Sequence, residues 1–318
     1  MAGSRAAGEY PPVPEPLPHP VVDTHTHLDI CTGARGPLRD GEPRPEVEPG
    51  EDESFPPLSF FHENAQAAGV TRIVQIGCDM ASARWTAQVV DAEAAAGRDW
   101  MLGGAAIHPN EAPRLGAAGL LDESLTEIER LCRGDRMRVV GETGLDWFRL
   151  DEASVNGVAV PVDRARRFQE ESFRAHIEIA KRLDLALEIH DREAHADVLR
   201  VLREAGAPER TVFHCFSGDA ALARECADRG YYMSFAGNVT FKNARDLREA
   251  AALVPRQLLL TETDAPFLTP HPHRGRPGGP YLTAVTARAL AQVRGEDLAQ
   301  LCADVVSNAQ DVFGDWEL

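Results

Sequence analysis

Eight short apolar runs, most of them followed by an amphipathic stretch with helical spacing, leave this chain few ways to fold. The runs are VVDTHTHL (21–28), RIVQIGC (72–78), MLGGAAIH (101–108), RVVGETGL (138–145), ALEIHD (186–191), TVFHCF (211–216), YYMSFAG (231–237) and LLLTETD (258–264). Between them lie stretches such as 162–183 and 193–206, whose apolar residues recur every three to four positions. Strand–helix alternation of this kind points to a parallel sheet, because parallel neighbours need a crossover that a helix supplies. Eight such units favour a closed (β/α)8 TIM barrel over an open doubly wound sheet. No GxGxxG follows the first run and no GxxxxGK[ST] occurs anywhere, so the main signals of dinucleotide and P-loop sites are missing. The stretches 281–295 and 296–314 read as helices that cover the barrel.

Two segments stand apart. Positions 1–20 are proline-rich and read as an extended tail. Positions 33–57, GARGPLRDGEPRPEVEPGEDESFPP, form an acidic, proline-rich loop insertion directly after the first strand. The remainder, 21–318, reads as one barrel domain. With 43% apolar and 26% charged residues the bulk of the chain is globular rather than disordered. No apolar run is long enough for a transmembrane helix, and the N-terminus lacks the apolar stretch of a secretory signal, so no membrane role and a cytoplasmic location are expected. None of the six cysteines forms a CxxC pair, which favours reduced thiols over disulfides or a cysteine-rich zinc site.

The chemistry is expected where such barrels keep it, at the C-terminal ends of the strands. There the runs deliver His25 and His27, His108, Glu142, His190, His214 and Asp264. Five of 11 histidines at strand ends are hard to explain by packing, since each buried, unpaired polar group costs several kcal/mol. A metal centre satisfies them together. Residues i and i+2 of a strand share a face, so His25 and His27 can bind one ion. His25, His27 and Asp264 are expected to hold one ion, and His190 with His214 a second, with Glu142 bridging the two. Mixed imidazole and carboxylate donors suit zinc, manganese or iron, and allow magnesium. The chain has only two lysines, Lys181 and Lys242, and neither ends a strand, so a bridging carbamylated lysine is excluded.

Taken together, DTHTHLD (23–29), IHPNEA (107–112), GETGLDWFR (141–149), IHDREA (189–194), HCFSG (214–218), SFAGNVTFKNA (234–244), ETDAPFLTP (262–270) and HRGRP (273–277) resemble, in order, the motifs of the TatD-type metal-dependent deoxyribonucleases. The resemblance covers roughly residues 20–315. It implies an amidohydrolase-like TIM barrel, two divalent ions (magnesium, manganese or zinc) and hydrolysis of phosphodiester bonds, most often 3′–5′ exonuclease action on DNA. It also implies the metal ligands His25, His27, Glu142, His190, His214 and Asp264.

The expected reaction is attack by a metal-activated water, with Asp264 orienting the water and accepting its proton and Glu142 holding both ions. His108, Arg192 and Arg274, with Arg276 beside it, are the expected substrate contacts, and Asp146 and Asp29 the partners that orient histidines. Cys215 is expected to face away from the site by strand alternation. The net charge of −17 argues against a stable duplex-binding surface, so the expected partners are DNA ends entering a cleft, with the protein acting as a monomer. Two alternatives share the scaffold: an ester or amide hydrolase such as a D-aminoacyl-tRNA deacylase, and a non-catalytic metal-binding protein.

Overall fold

The computed structural model describes residues 8–34, 55–155 and 157–317. Most of the acidic insertion and the first seven positions of the tail lie outside the described residues. Each of the eight apolar runs forms a strand: β1 (Val21–Thr26), β2 (Val70–Gly77), β3 (Met101–Ala105), β4 (Met137–Asp146), β5 (Ala186–Arg192), β6 (Thr211–Phe213), β7 (Tyr232–Phe235) and β8 (Leu259–Thr261). They join in sequence order into one parallel sheet, with a helix or helices in the crossovers. This is the expected TIM barrel.

The period of two along each strand divides its side chains between two cores. Facing inward, Val22, Val74, Ile76, Leu102, Val139, Ala186, Val212 and Leu260 meet Ala309, Val312, Phe313 and Trp316. The last helix (Leu298–Phe313) and the residues after it thus plug the end of the barrel where the strands begin. Facing outward, Ile73, Met101, Val140, Leu187, Ile189, Phe213 and Met233 pack under the surrounding helices. The helix Val162–Leu183 has the bounds its apolar spacing predicts.

The ring is completed between β8 and β1. Thr24 Oγ1 donates to the Thr261 carbonyl at 3.1 Å and Thr261 Oγ1 to the Val22 carbonyl at 3.1 Å. Further along the seam a parallel bridge pairs Thr26 with Ala265, and the Asp264 and His27 amides donate to the His25 and Ala265 carbonyls at 3.0 and 2.9 Å. Side-chain hydroxyls replace part of a ladder here, and this seam aligns both ends of the chain at the site.

The proline-rich segment is docked instead of forming a free extended tail. Prolines offer carbonyls but no N–H, so the body supplies the donors. Tyr281 Oη donates to the Pro11 carbonyl at 2.8 Å, Arg276 to the Glu9 and Tyr10 carbonyls, and Arg288 to those of Glu15 and Pro16. Tyr10 sets its ring edge-on against Phe60 and Phe61 at 5.5 and 5.4 Å. The Arg276 guanidinium is thereby committed to the strap, which corrects its expected role as a substrate contact.

Candidate metal centre

The ligand histidines converge because inward-facing strand residues meet above a polar layer in the barrel. Glu142 lies at the middle. Its Oε1 is 2.5 Å from His190 Nδ1, 2.8 Å from His214 Nε2 and 3.5 Å from His108 Nε2, while its Oε2 is 3.7 Å from His25 Nε2 and 4.0 Å from His27 Nε2. Asp264 brings Oδ1 to 3.3 Å from His27 Nε2 and 3.9 Å from His25 Nε2. It does so from a left-handed backbone, φ 53°, that a non-glycine residue rarely adopts. All six expected ligands are therefore brought together.

Among the described residues, two groups place one donor atom per residue within 4.8 Å of one another: His25, His27 and Glu142, and His108, Glu142 and His190. Nitrogen and carboxylate donors this close and this buried fit a divalent ion. The grouping adds one detail to the expected arrangement. His108, expected to touch substrate, also stands as a donor beside His190, whereas His214 stacks on His25 with ring centroids 3.9 Å apart.

The far nitrogen of each histidine of the expected set faces an oxygen, in a hydrogen bond for three of the four. His25 Nδ1 faces Glu188 Oε2 at 3.2 Å, His27 Nδ1 the Ile76 carbonyl at 3.0 Å, His190 Nε2 faces Asp146 Oδ2 at 3.3 Å, and His214 Nδ1 faces Glu262 Oε1 at 3.2 Å. Such partners fix the tautomer and ring orientation of a metal-binding imidazole. Asp146 fills the orienting role expected of it. Asp29 does not take a comparable place: its Oδ1 accepts from the Gln75 amide at 3.1 Å, on the outer face of the sheet.

Electrostatics in the metal-free centre follow from burial opposed by close charges. Burial raises Glu142, but His214, His108 and His190 outweigh it and hold the carboxyl well below its usual range. Burial lowers His190, but Glu142 and Asp146 lift it to about 9. Burial, then the neighbouring His214 and His27, push His25 well below the usual imidazole value. Burial pushes Glu188 well above the carboxylate range.

The centre forms the floor of a cavity of about 630 Å³. Arg192 and His108 line it, as expected. Arg274 does not; it lies over the Phe241 ring at 4.0 Å, and its expected contact is withdrawn. Cys215 does line it, against the alternation rule. The rule lapses because β6 ends at Phe213 and Cys215 takes a left-handed backbone, φ 42°. Sequence reasoning also missed Arg114 and Arg149 in the cavity wall, and Cys78, whose Sγ is 3.3 Å from Glu142 Oε2. Cys78 follows β2 directly, so its place at a strand end was a usable signal.

Comparison with known proteins agrees with this geometry. The family described as TatD related DNase matches residues 22–314. An uncharacterized metal-dependent hydrolase, TatD, of Mycobacterium tuberculosis is 40% identical over 297 residues, 92% of this chain and 98% of that protein. The Bacillus subtilis metal-dependent hydrolase YabD is 33% identical, over 79% of this chain and 90% of its own length. The crystal structure of YjjV, a TatD homolog from Escherichia coli, superposes with a TM-score of 0.70 at 25% identity, covering 93% of this chain and 98% of that one. With a family match across nearly the whole barrel and donors gathered at its strand ends, the chain belongs to the TatD-related DNase family of metal-dependent hydrolases.

Proposed function

We propose that this hydrolase cleaves phosphodiester bonds as a 3′–5′ exodeoxyribonuclease on DNA ends, using two divalent ions. The observation that carries the reading is the arrangement of four imidazoles and Asp264 around Glu142 at the floor of one cavity. Divalent ions held there supply Lewis acidity and lower the pKa of water near them. His25, His27 and Asp264 would hold one, His190 and His214 the other, with Glu142 serving both.

Asp264 sits at the edge of this set, with 16% of its side chain exposed to the cavity. It orients the attacking water and takes its proton on a carboxylate oxygen. Water attacks phosphorus and the bond to the 3′-oxygen of the neighbouring nucleotide breaks; that oxygen leaves with the bonding electron pair and takes a proton from solvent to become the 3′-hydroxyl. His108 hydrogen-bonds a phosphoryl oxygen through Nε2, because the Asn110 amide occupies its Nδ1 at 3.0 Å. Arg192 contacts a phosphate from the wall. An acidic chain with arginines in the cavity wall suits a strand end held locally rather than a long duplex.

The test is release of mononucleotides from 3′-labelled single-stranded DNA with magnesium or manganese, for wild type and Asp264→Asn. The expected result is release by wild type and a loss of at least ~10²-fold in the variant with its melting temperature retained. Metal-loaded wild type that releases nothing overturns the nuclease reading.

A further inference from the structure

Beneath the ligands lies a carboxylate that the proposed reaction does not use. Glu188 is two residues before His190 on β5, so it shares the inward face with that ligand, while Leu187 and Ile189 point out to the helices. It is wholly buried. Neither of its oxygens has a hydrogen-bond partner of good geometry, and neither does His25 Nδ1. These two unmet groups face each other at 3.2 Å. The fold also reserves the space: a Cβ on Gly141, the residue before Glu142, would lie 2.6 Å from the Glu188 Cβ.

We propose that Glu188 is a positioning residue of the metal centre: its carboxylate accepts the Nδ1–H of His25 and so keeps Nε2 unprotonated and aimed at the ion. The argument is one of proton placement. A neutral imidazole carries its proton on one nitrogen, and only the other can ligate. His25 Nε2 looks toward His27, Glu142 and Asp264, at 3.1, 3.7 and 3.9 Å, so the proton belongs on Nδ1. A buried carboxylate with no other partner is the acceptor at that nitrogen. Packing alone does not account for Glu188, because an apolar side chain of the same length would fill this place without burying two oxygens that lack a hydrogen-bond partner.

That contrast supplies the test. Glu188→Met keeps the volume and Glu188→Gln keeps an acceptor oxygen without the charge. Zinc affinity is measured by chelator competition on metal-free protein, and thermal melting is recorded on the same metal-free samples. With Glu188 as positioning residue, zinc binds ~10–100-fold more weakly to the Met variant and to an intermediate degree to the Gln variant. Metal-free Glu188→Met melts at or above the wild-type temperature, since an apolar side chain there replaces buried oxygens that have no hydrogen-bond partner. In the zinc-loaded wild type, nitrogen-15 spectra show His25 protonated at Nδ1 alone, and this resonance shifts in Glu188→Gln. Affinity within twofold of wild type in both variants overturns the proposal, as does a zinc-loaded wild type with the His25 proton on Nε2. Should the Met variant fail to fold, the Gln variant and the wild-type spectrum decide.

Discussion

His176 offers a measurement of how the barrel holds its third strand end. It is wholly buried on the helix Val162–Leu183. The Ile107 amide donates to its Nε2 at 3.1 Å, so that nitrogen carries no proton, while Nδ1 donates to the Ser172 carbonyl at 2.7 Å. Ile107 precedes His108, and the bond therefore fixes the backbone that presents His108 to the cavity. Burial lowers the His176 pKa from 6.5 to about 4. The unfolded chain thus binds this proton at a higher pH than the folded one. The resulting stability is fully present above pH 6.5 and is lost as pH falls toward 4, below which both states are protonated. Linkage between those two pKa values gives a loss on the order of 2–3 kcal/mol from pH 7.5 to pH 4.5. His176→Gln keeps an acceptor for Ile107 and does not titrate. Urea unfolding with chelator present, at both pH values, isolates the effect as a double difference. Wild type should lose roughly 2–3 kcal/mol more than the variant on acidification. A wild-type–variant difference that is the same at both pH values refutes the reasoning.

Two further outcomes are expected. Glu142→Gln removes the anion from the middle of the imidazoles, and bound metal per chain, measured by mass spectrometry after dialysis, should fall with an affinity loss of more than about tenfold; unchanged occupancy contradicts its bridging place. Gly144 has φ 139° and a Cβ there would lie 2.1 Å from the His190 carbonyl oxygen, its ladder neighbour, so Gly144→Ala should cost at least ~2 kcal/mol in urea unfolding and displace His190; a variant as stable as wild type, with normal metal content, counts against that constraint.

The barrel and the ligand set were legible because both follow from periodicity. β-branched runs with a period of two mark the strands, and the last inward residues of those runs are the side chains gathered around Glu142. What escaped depends on contacts distant in sequence or on backbone that leaves the regular period. Cys215 turns into the cavity only because its φ is positive beyond the end of β6. The strap binds through Tyr281, Arg276 and Arg288, donors far along the chain that no local pattern in a proline-rich segment announces. Arg274 was placed in the site by its nearness to Asp264 in sequence, yet stacking on Phe241 draws it away. Glu188 was within reach of the alternation rule, one inward position below His190.

The seam between β8 and β1 has a consequence for the order in which the protein matures. Thr24 and Thr261 are 237 residues apart, so during synthesis the first strand waits, with one edge open, until nearly the whole chain has emerged. Its HxH pair waits with it, since Asp264 arrives only with the closing strand. An ion that takes His25, His27 and Asp264 together binds the closed ring and not the open one, and its binding free energy is added to closure. The segment that carries Thr261 and Asp264 thus completes both the ring of strands and the group of donors at its mouth.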